Sequence, residues 1–199
     1  SGISFTNITL ENISITACGC IGGLVGWAGG DSTEYPILIT NCNVSGDIKC
    51  NSGSGGACYG IGGLVGMIWP AIITNCHADV SISGDLLSYV GGLVGEAGDC
   101  TFTACSASGD IQLADVYGGG LIGFAYNELI LNDCHATGDV IGNQESLKRN
   151  GAFGGLVGVF PRGSITNCSA TGTVIGGWYY GTGGLVGDLN YPNYNADEA

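Results

Sequence analysis

Positive charge is nearly absent from this chain: of 199 residues only 4 are Lys or Arg, against 17 Asp plus Glu, for a formal charge of −13. A surface of that sign repels phosphate backbones and anionic headgroups, which argues against nucleic acid as a partner. Proline is scarce at 4, and the 39 glycines follow no strict period of three, so a collagen-like triple helix is excluded. Disorder is excluded by a hydrophobic content of 45%. Long apolar runs are missing as well. Residues 57 to 73 carry no charge, yet Gly62, Gly63, Gly66 and Pro70 interrupt them, and they fall short of the roughly 20 residues a bilayer-spanning helix needs. They read as core, with no direct membrane insertion. No leader-like segment or initial Met is present, and Ser1 reads as a processing site or a boundary within a longer protein. There is no His-Glu pair, and so no His-Glu-x-x-His zinc pattern.

What the chain has in abundance is one phrase. GGLVG, once as GGLIG, begins at Gly22, Gly62, Gly91, Gly119, Gly154 and Gly183, at spacings of 40, 29, 28, 35 and 29. A second phrase precedes each copy: FTNI at 5–8, ITNC at 39–42 and 73–76, FTAC at 102–105, LNDC at 131–134 and ITNC at 165–168. Six pairs with surplus residues confined to a few slots are the signature of a solenoid, whose units bury a core only by stacking.

The segments after the second phrase decide between strand and helix. In NVSGDI (43–48), HADVSI (77–82), SASGDI (106–111), HATGDV (135–140) and SATGTV (169–174), apolar or small residues alternate with polar ones at the two-residue period of a strand. A unit of about 29 residues suits one coil of a parallel β-helix with about three short strands, and coils stack about 4.8 Å apart. The expected fold is all-β: a right-handed β-solenoid of about six coils, the hand following the usual preference of parallel crossovers. Leu24, Leu64, Leu93, Leu121, Leu156 and Leu185 should form one inward column, and Ile48, Ile82, Ile111, Val140 and Val174 another. The paired glycines let the chain bend at a corner and let coils approach closely.

These phrases together resemble the GLUG-motif repeats of bacterial surface proteins, over about Ile3 to Gly187. The resemblance implies an extracellular accessory or structural module, as in adhesin-like proteins or beside the catalytic domains of IgA-cleaving metallopeptidases. It divides the chain into one solenoid, 1–187, and a C-terminal tail, 188–199, serving as cap or linker.

Ten cysteines fall into groups. Cys42, Cys76, Cys105, Cys134 and Cys168 share the column that Ile8 begins, and Ile at that position predicts buried, reduced thiols. Cys18 and Cys58 each stand four residues before a glycine pair and should be neighbours on successive coils; with Cys20 and Cys50 they are the disulfide candidates. Asn7, Asn41, Asn75 and Asn167 precede the Cys column and suit a left-handed corner with amide ladders between coils. His77 and His135 read as surface residues. Asp110 and Asp139, on adjacent coils, are weak calcium candidates in an otherwise solvated edge, so no metal or other cofactor is expected.

Trp27, Trp69, Phe124, Tyr126, Trp178 and Tyr179 are candidates for a recognition surface toward a glycan or a surface protein. The insertions at 27–38, 49–59 and 143–153 could carry such a surface. No complete acid and base set is apparent, so the chain reads as a non-catalytic extracellular structural or adhesive module, able to associate end to end as a surface filament. The alternatives are a carbohydrate- or host-protein-binding module of a larger secreted protein and, behind that, a polysaccharide-degrading enzyme.

Overall fold

The computed structural model describes residues 2–30, 33–51, 58–84, 87–113, 117–142, 151–176 and 181–189. Trp178, Tyr179, residues 190–199 of the tail and much of the 49–59 and 143–153 insertions lie outside these. The described residues form three sheets of 10, 9 and 6 strands, in which each strand pairs in parallel with its equivalent one repeat away. In the smallest sheet the six strands mark out roughly five stacked turns. Among the described residues no helix is long and apolar enough to cross a membrane.

Registers follow the sequence phrases. Phe5, Ile39, Ile73, Phe102, Leu131 and Ile165 stack on one face. Ile15, Ile48, Ile82, Ile111, Val140 and Val174 stack on the second. The third carries Gly22, Gly62, Gly91, Gly119, Gly154 and Gly183 in line. The Leu column is bonded through its backbone from Leu24 to Leu185, each N–H donating to the next Leu carbonyl at 2.8–2.9 Å. Leu64, Leu93, Leu121 and Leu156 are fully buried. Burial of each stabilises by about 1.5–3 kcal/mol, more than the roughly 0.5–1 kcal/mol an adjacent strand glycine costs. The core therefore outweighs poor strand propensity.

The end turns depart from the expected burial. Leu24 and Val174 are only half-buried, and Leu185 is 40% exposed, because no described strand lies beyond them to cover their outer sides.

Two of the three corners in each turn are built from the repeated phrases. At the first, Asn7, Asn41, Asn75, Ala104, Asp133 and Asn167 all adopt the left-handed conformation, with φ between 51° and 56°. Asn41 Nδ2 donates to Asn7 Oδ1 at 3.0 Å and Asn75 Nδ2 to Asn41 Oδ1 at 2.8 Å, which helps to offset the backbone cost. At the second, the paired glycines face the neighbouring turn directly: a Cβ on Gly92 would strike the Gly120 carbonyl and come within 2.9 Å of the Ala107 methyl.

Candidate functional site

The polar columns bind one turn to the next. Asp110 Oδ1 accepts the Asp139 N–H at 2.9 Å, and Asp139 Oδ1 accepts the Thr173 N–H at 2.7 Å. The two calcium candidates are thus links of a ladder along one edge. Asp79 accepts from Ser108 Oγ at 2.9 Å, and Asp99 accepts from Asn127 Nδ2 at 2.9 Å. His77 and His135 stand one above and one below Ser106 in the register. Their Nδ1 atoms pair with Ser106 Oγ at 2.8 Å and Ser169 Oγ at 2.9 Å. Among the described residues no three His, Cys, Asp or Glu side chains converge as metal ligands do.

Cysteines line the first corner. Cys42, Cys76, Cys105 and Cys134 are buried thiols, and Cys168 is half-buried in an outer turn. Each donates its S–H to the carbonyl two residues earlier: Thr40, Thr74, Thr103, Asn132 and Thr166, at 3.2–3.4 Å. Those same carbonyls accept the N–H of the left-handed residue one turn away, for instance Asn41 N–H to Thr74 at 3.0 Å, so both lone pairs are used. Cys is small enough for the core and still supplies a donor. The Cys105 thiol is held well above the ordinary range by hydrogen bonding to Cys134 and Cys76 and by burial. Burial also pushes the Cys100 thiol up, to about 12. Cys100 stands apart from the column, donating to the Gly98 carbonyl at 3.1 Å.

The disulfide candidates gather at another corner. A disulfide joins Cys50, which ends the strand Asn43–Cys50, to Cys58, which begins the strand Cys58–Gly62. Cys18, exposed on the preceding turn, has its Sγ 3.2 Å from Cys58 Sγ. Cys20 packs its thiol against Met67 Sδ at 3.0 Å.

The aromatic candidates separate into two groups. Trp27 is 58% exposed and meets the half-buried Trp69 edge-on, ring centroids 5.6 Å apart. Tyr126, 45% exposed, lies alongside Gly98, whose Cβ position also borders Trp69 at 3.5 Å. Gly29 and Gly98 leave room beside these rings, so Trp27, Trp69 and Tyr126 share one stretch of surface. Phe124 does not belong to it. At 4% exposure it is packed with Tyr89, Tyr117, Ala152 and Val159, its ring 4.6 Å from Tyr89 and 5.8 Å from Tyr117. The expectation of a surface role for Phe124 is therefore corrected: the glycine-pair corner folds two strands together and closes over the ring.

Two features escaped the sequence reading. Leu38 and Ile72 pair in register and are both exposed, adding aliphatic surface to the outer face of the largest sheet. The alternation that puts Ile37 and Ile39 inside was sufficient to find Leu38. Glu96 occupies the register position of Met67 and Phe124, and desolvation raises its carboxyl above the usual range. Aligning the residue that directly follows each phrase shows two acids, Glu96 and Asp188, in a row otherwise made of Trp27, Met67, Phe124 and Val159.

Comparison with known proteins gives the repeat its name. The GLUG motif matches residues 17–49, 87–112 and 149–175. The chain carries GLUG-motif repeats. Halomucin of Haloquadratum walsbyi is 33% identical over 143 residues, which cover 68% of this chain and 2% of that protein. The crystal structure of a "putative immunoglobulin A1 protease" from Bacteroides ovatus aligns with a TM-score of 0.62 at 23% identity, over 92% of this chain and 62% of that one. At that identity the likeness is one of fold. Each of the three matched stretches contains one of the glycines stacked in the third sheet, Gly22, Gly91 or Gly154.

Proposed function

We propose that this chain is a non-catalytic extracellular structural or adhesive module, working at a cell surface as a length of solenoid or as a subunit of a surface filament. The observation that carries this reading is the use made of its acids and bases. Asp79, Asp99, Asp110, Asp139, His77 and His135 each bond to a residue of an adjacent turn. Groups used in that way extend a rod, whereas acid–base chemistry requires a pair set toward one substrate. We read the rod as right-handed, with its six GLUG phrases as six coils. The surface location draws support from the GLUG likeness, from the halomucin relative and from the disulfide, which suits an oxidising compartment. Parallel strand edges at the described ends are suited to strand addition by another copy.

Binding of a glycan or a host protein is the second reading. It rests on the exposed Trp27 and Tyr126 beside Trp69, since aromatic faces stack on sugar rings and anchor protein contacts. The Bacteroides ovatus protein bears a protease name, so the non-catalytic reading has a direct test. The chain is incubated with immunoglobulin A1 and with a polysaccharide panel, products are separated, and the protein is imaged by electron microscopy. Filaments, or monomers retained on a glycan and released by Trp27→Ala, fit one or the other reading. Turnover that Asp110→Ala abolishes defeats both.

A further inference from the structure

The corner where the first two turns meet holds three sulfurs whose arrangement goes beyond a static cross-link. Cys50 and Cys58 are both buried, whereas Cys18 is exposed and carries a thiol. Its Sγ lies 3.2 Å from Cys58 Sγ. Cys58 has no S–H of its own, being bonded to Cys50. The contact is therefore one between a thiol and a disulfide sulfur, the pair of groups that thiol–disulfide exchange brings together. The backbone explains why they meet. Ala17 pairs with Cys50 in register, so the next residue, Cys18, turns the corner directly beside the strand end that bears the disulfide. On the other side of Cys50 the register partner is Gly84, and a Cβ there would come within 2.8 Å of the Cys50 Cβ. Gly84 leaves the space that the Cys50 side chain occupies.

We propose that Cys18, Cys58 and Cys50 form a thiol–disulfide exchange site, in which the cross-link passes between a Cys50–Cys58 register and a Cys18–Cys58 register. The Cys18 thiolate attacks Cys58 Sγ, the Cys18–Cys58 bond forms as the Cys58–Cys50 bond breaks, and Cys50 leaves as a thiolate that takes up the proton Cys18 gave to solvent. One disulfide and one thiol are present before and after, so no external oxidant or reductant is consumed. The consequence is mechanical. A Cys50–Cys58 bond closes a local segment with a sequence separation of 8, while a Cys18–Cys58 bond spans 40 residues and ties the first turn to the second. By loop-closure entropy the longer loop raises the folding equilibrium constant about ten-fold over the shorter one. The exposed member also connects a buried disulfide to solvent thiols.

Trypsin separates the two registers. Lys49 is the first Lys or Arg of the chain, so cleavage there parts Cys18 from Cys50 and Cys58. The chain is held in a reduced and oxidised glutathione buffer, quenched with N-ethylmaleimide at successive times, denatured, digested and analysed without reduction. The proposal predicts two populations: a released N-terminal peptide bearing maleimide on Cys18, and a linked pair bearing it on Cys50. Cys50→Ser should give almost wholly the linked form, Cys18→Ser none of it, and Cys20→Ser should leave both. A wild-type chain that shows only Cys50–Cys58 at every time would overturn the proposal. So would linkage through Cys20, or maleimide on both Cys18 and Cys58 of Cys50→Ser.

Discussion

Replacing Gly92 by Ala should separate two explanations of the glycine pair, close approach between turns and backbone freedom. Gly92 lacks the positive φ that disfavours other residues, so an Ala there meets no dihedral penalty. It meets the neighbouring turn instead, at the Gly120 carbonyl and at the Ala107 methyl 2.9 Å away. The carbonyl is backbone, and its own turn is fixed by the Gly120 N–H bond to Gly154 at 3.2 Å, so it cannot yield locally. Overpacking of this kind costs about 1–3 kcal/mol, and the rigid contact places Gly92→Ala toward the upper end. Gly184 is the same position in the last copy, and a Cβ there has nothing within 4 Å. Gly184→Ala should be neutral, or stabilising by up to about 1 kcal/mol through the unfolded chain. In urea, Gly92→Ala should lower the midpoint with little change in slope, and in thermal melts it should lower Tm by about 5–10 °C. The double variant Gly92→Ala/Ala107→Gly should recover only part of the loss, because the carbonyl contact remains. Equal behaviour of Gly92→Ala and Gly184→Ala would refute the close-approach argument.

Other consequences follow from the same contacts. Asn75→Ala should destabilise by about 1–2 kcal/mol through lost amide bonding and left-handed strain, and Asn75→Gly by less, in urea melts. Native alkylation at pH 8 should label Cys18 quickly and leave Cys100 and Cys105 unmodified until unfolding, as read by mass spectrometry. Glu96 has a folded pKa above its unfolded value, so the folded chain holds the proton more tightly. Its contribution is favourable at low pH and falls as pH rises through about 4.3 until the folded carboxyl has ionised. Glu96→Gln should remove that slope from Tm plotted against pH and be more stable than wild type at pH 7.

The two-residue alternation made most of the core legible, because parallel stacking repeats whatever one turn does. Ile48, Ile82 and Ile111 could be assigned from sequence for that reason. The Asn corner was legible too, and it persists at Ala104 and Asp133, where neighbours on both sides hold the left-handed form. What pattern alone could not give was side-chain direction at a tight bend. Phe124 follows its GGLIG phrase much as Trp27 follows its own, yet Tyr89 and Tyr117 cover one ring while the other is exposed. The cysteines show the same limit. Spacing made Cys18 and Cys58 neighbours, and they are, but the bonded partner of Cys58 is Cys50, across an insertion whose path spacing does not encode. Nor did the Ile8 equivalence reveal that each column thiol donates to the carbonyl two residues earlier.

The central claim is that these turns supply extent and adhesion rather than chemistry. Deleting residues 2–189 in frame from the protein in its native cell, and measuring attachment alongside hydrolysis of surface glycans and immunoglobulin A1, tests it most directly. The account predicts reduced attachment or loss of surface fibres, with hydrolysis unchanged. Unimpaired attachment together with a lost hydrolytic activity that the purified chain restores would contradict it.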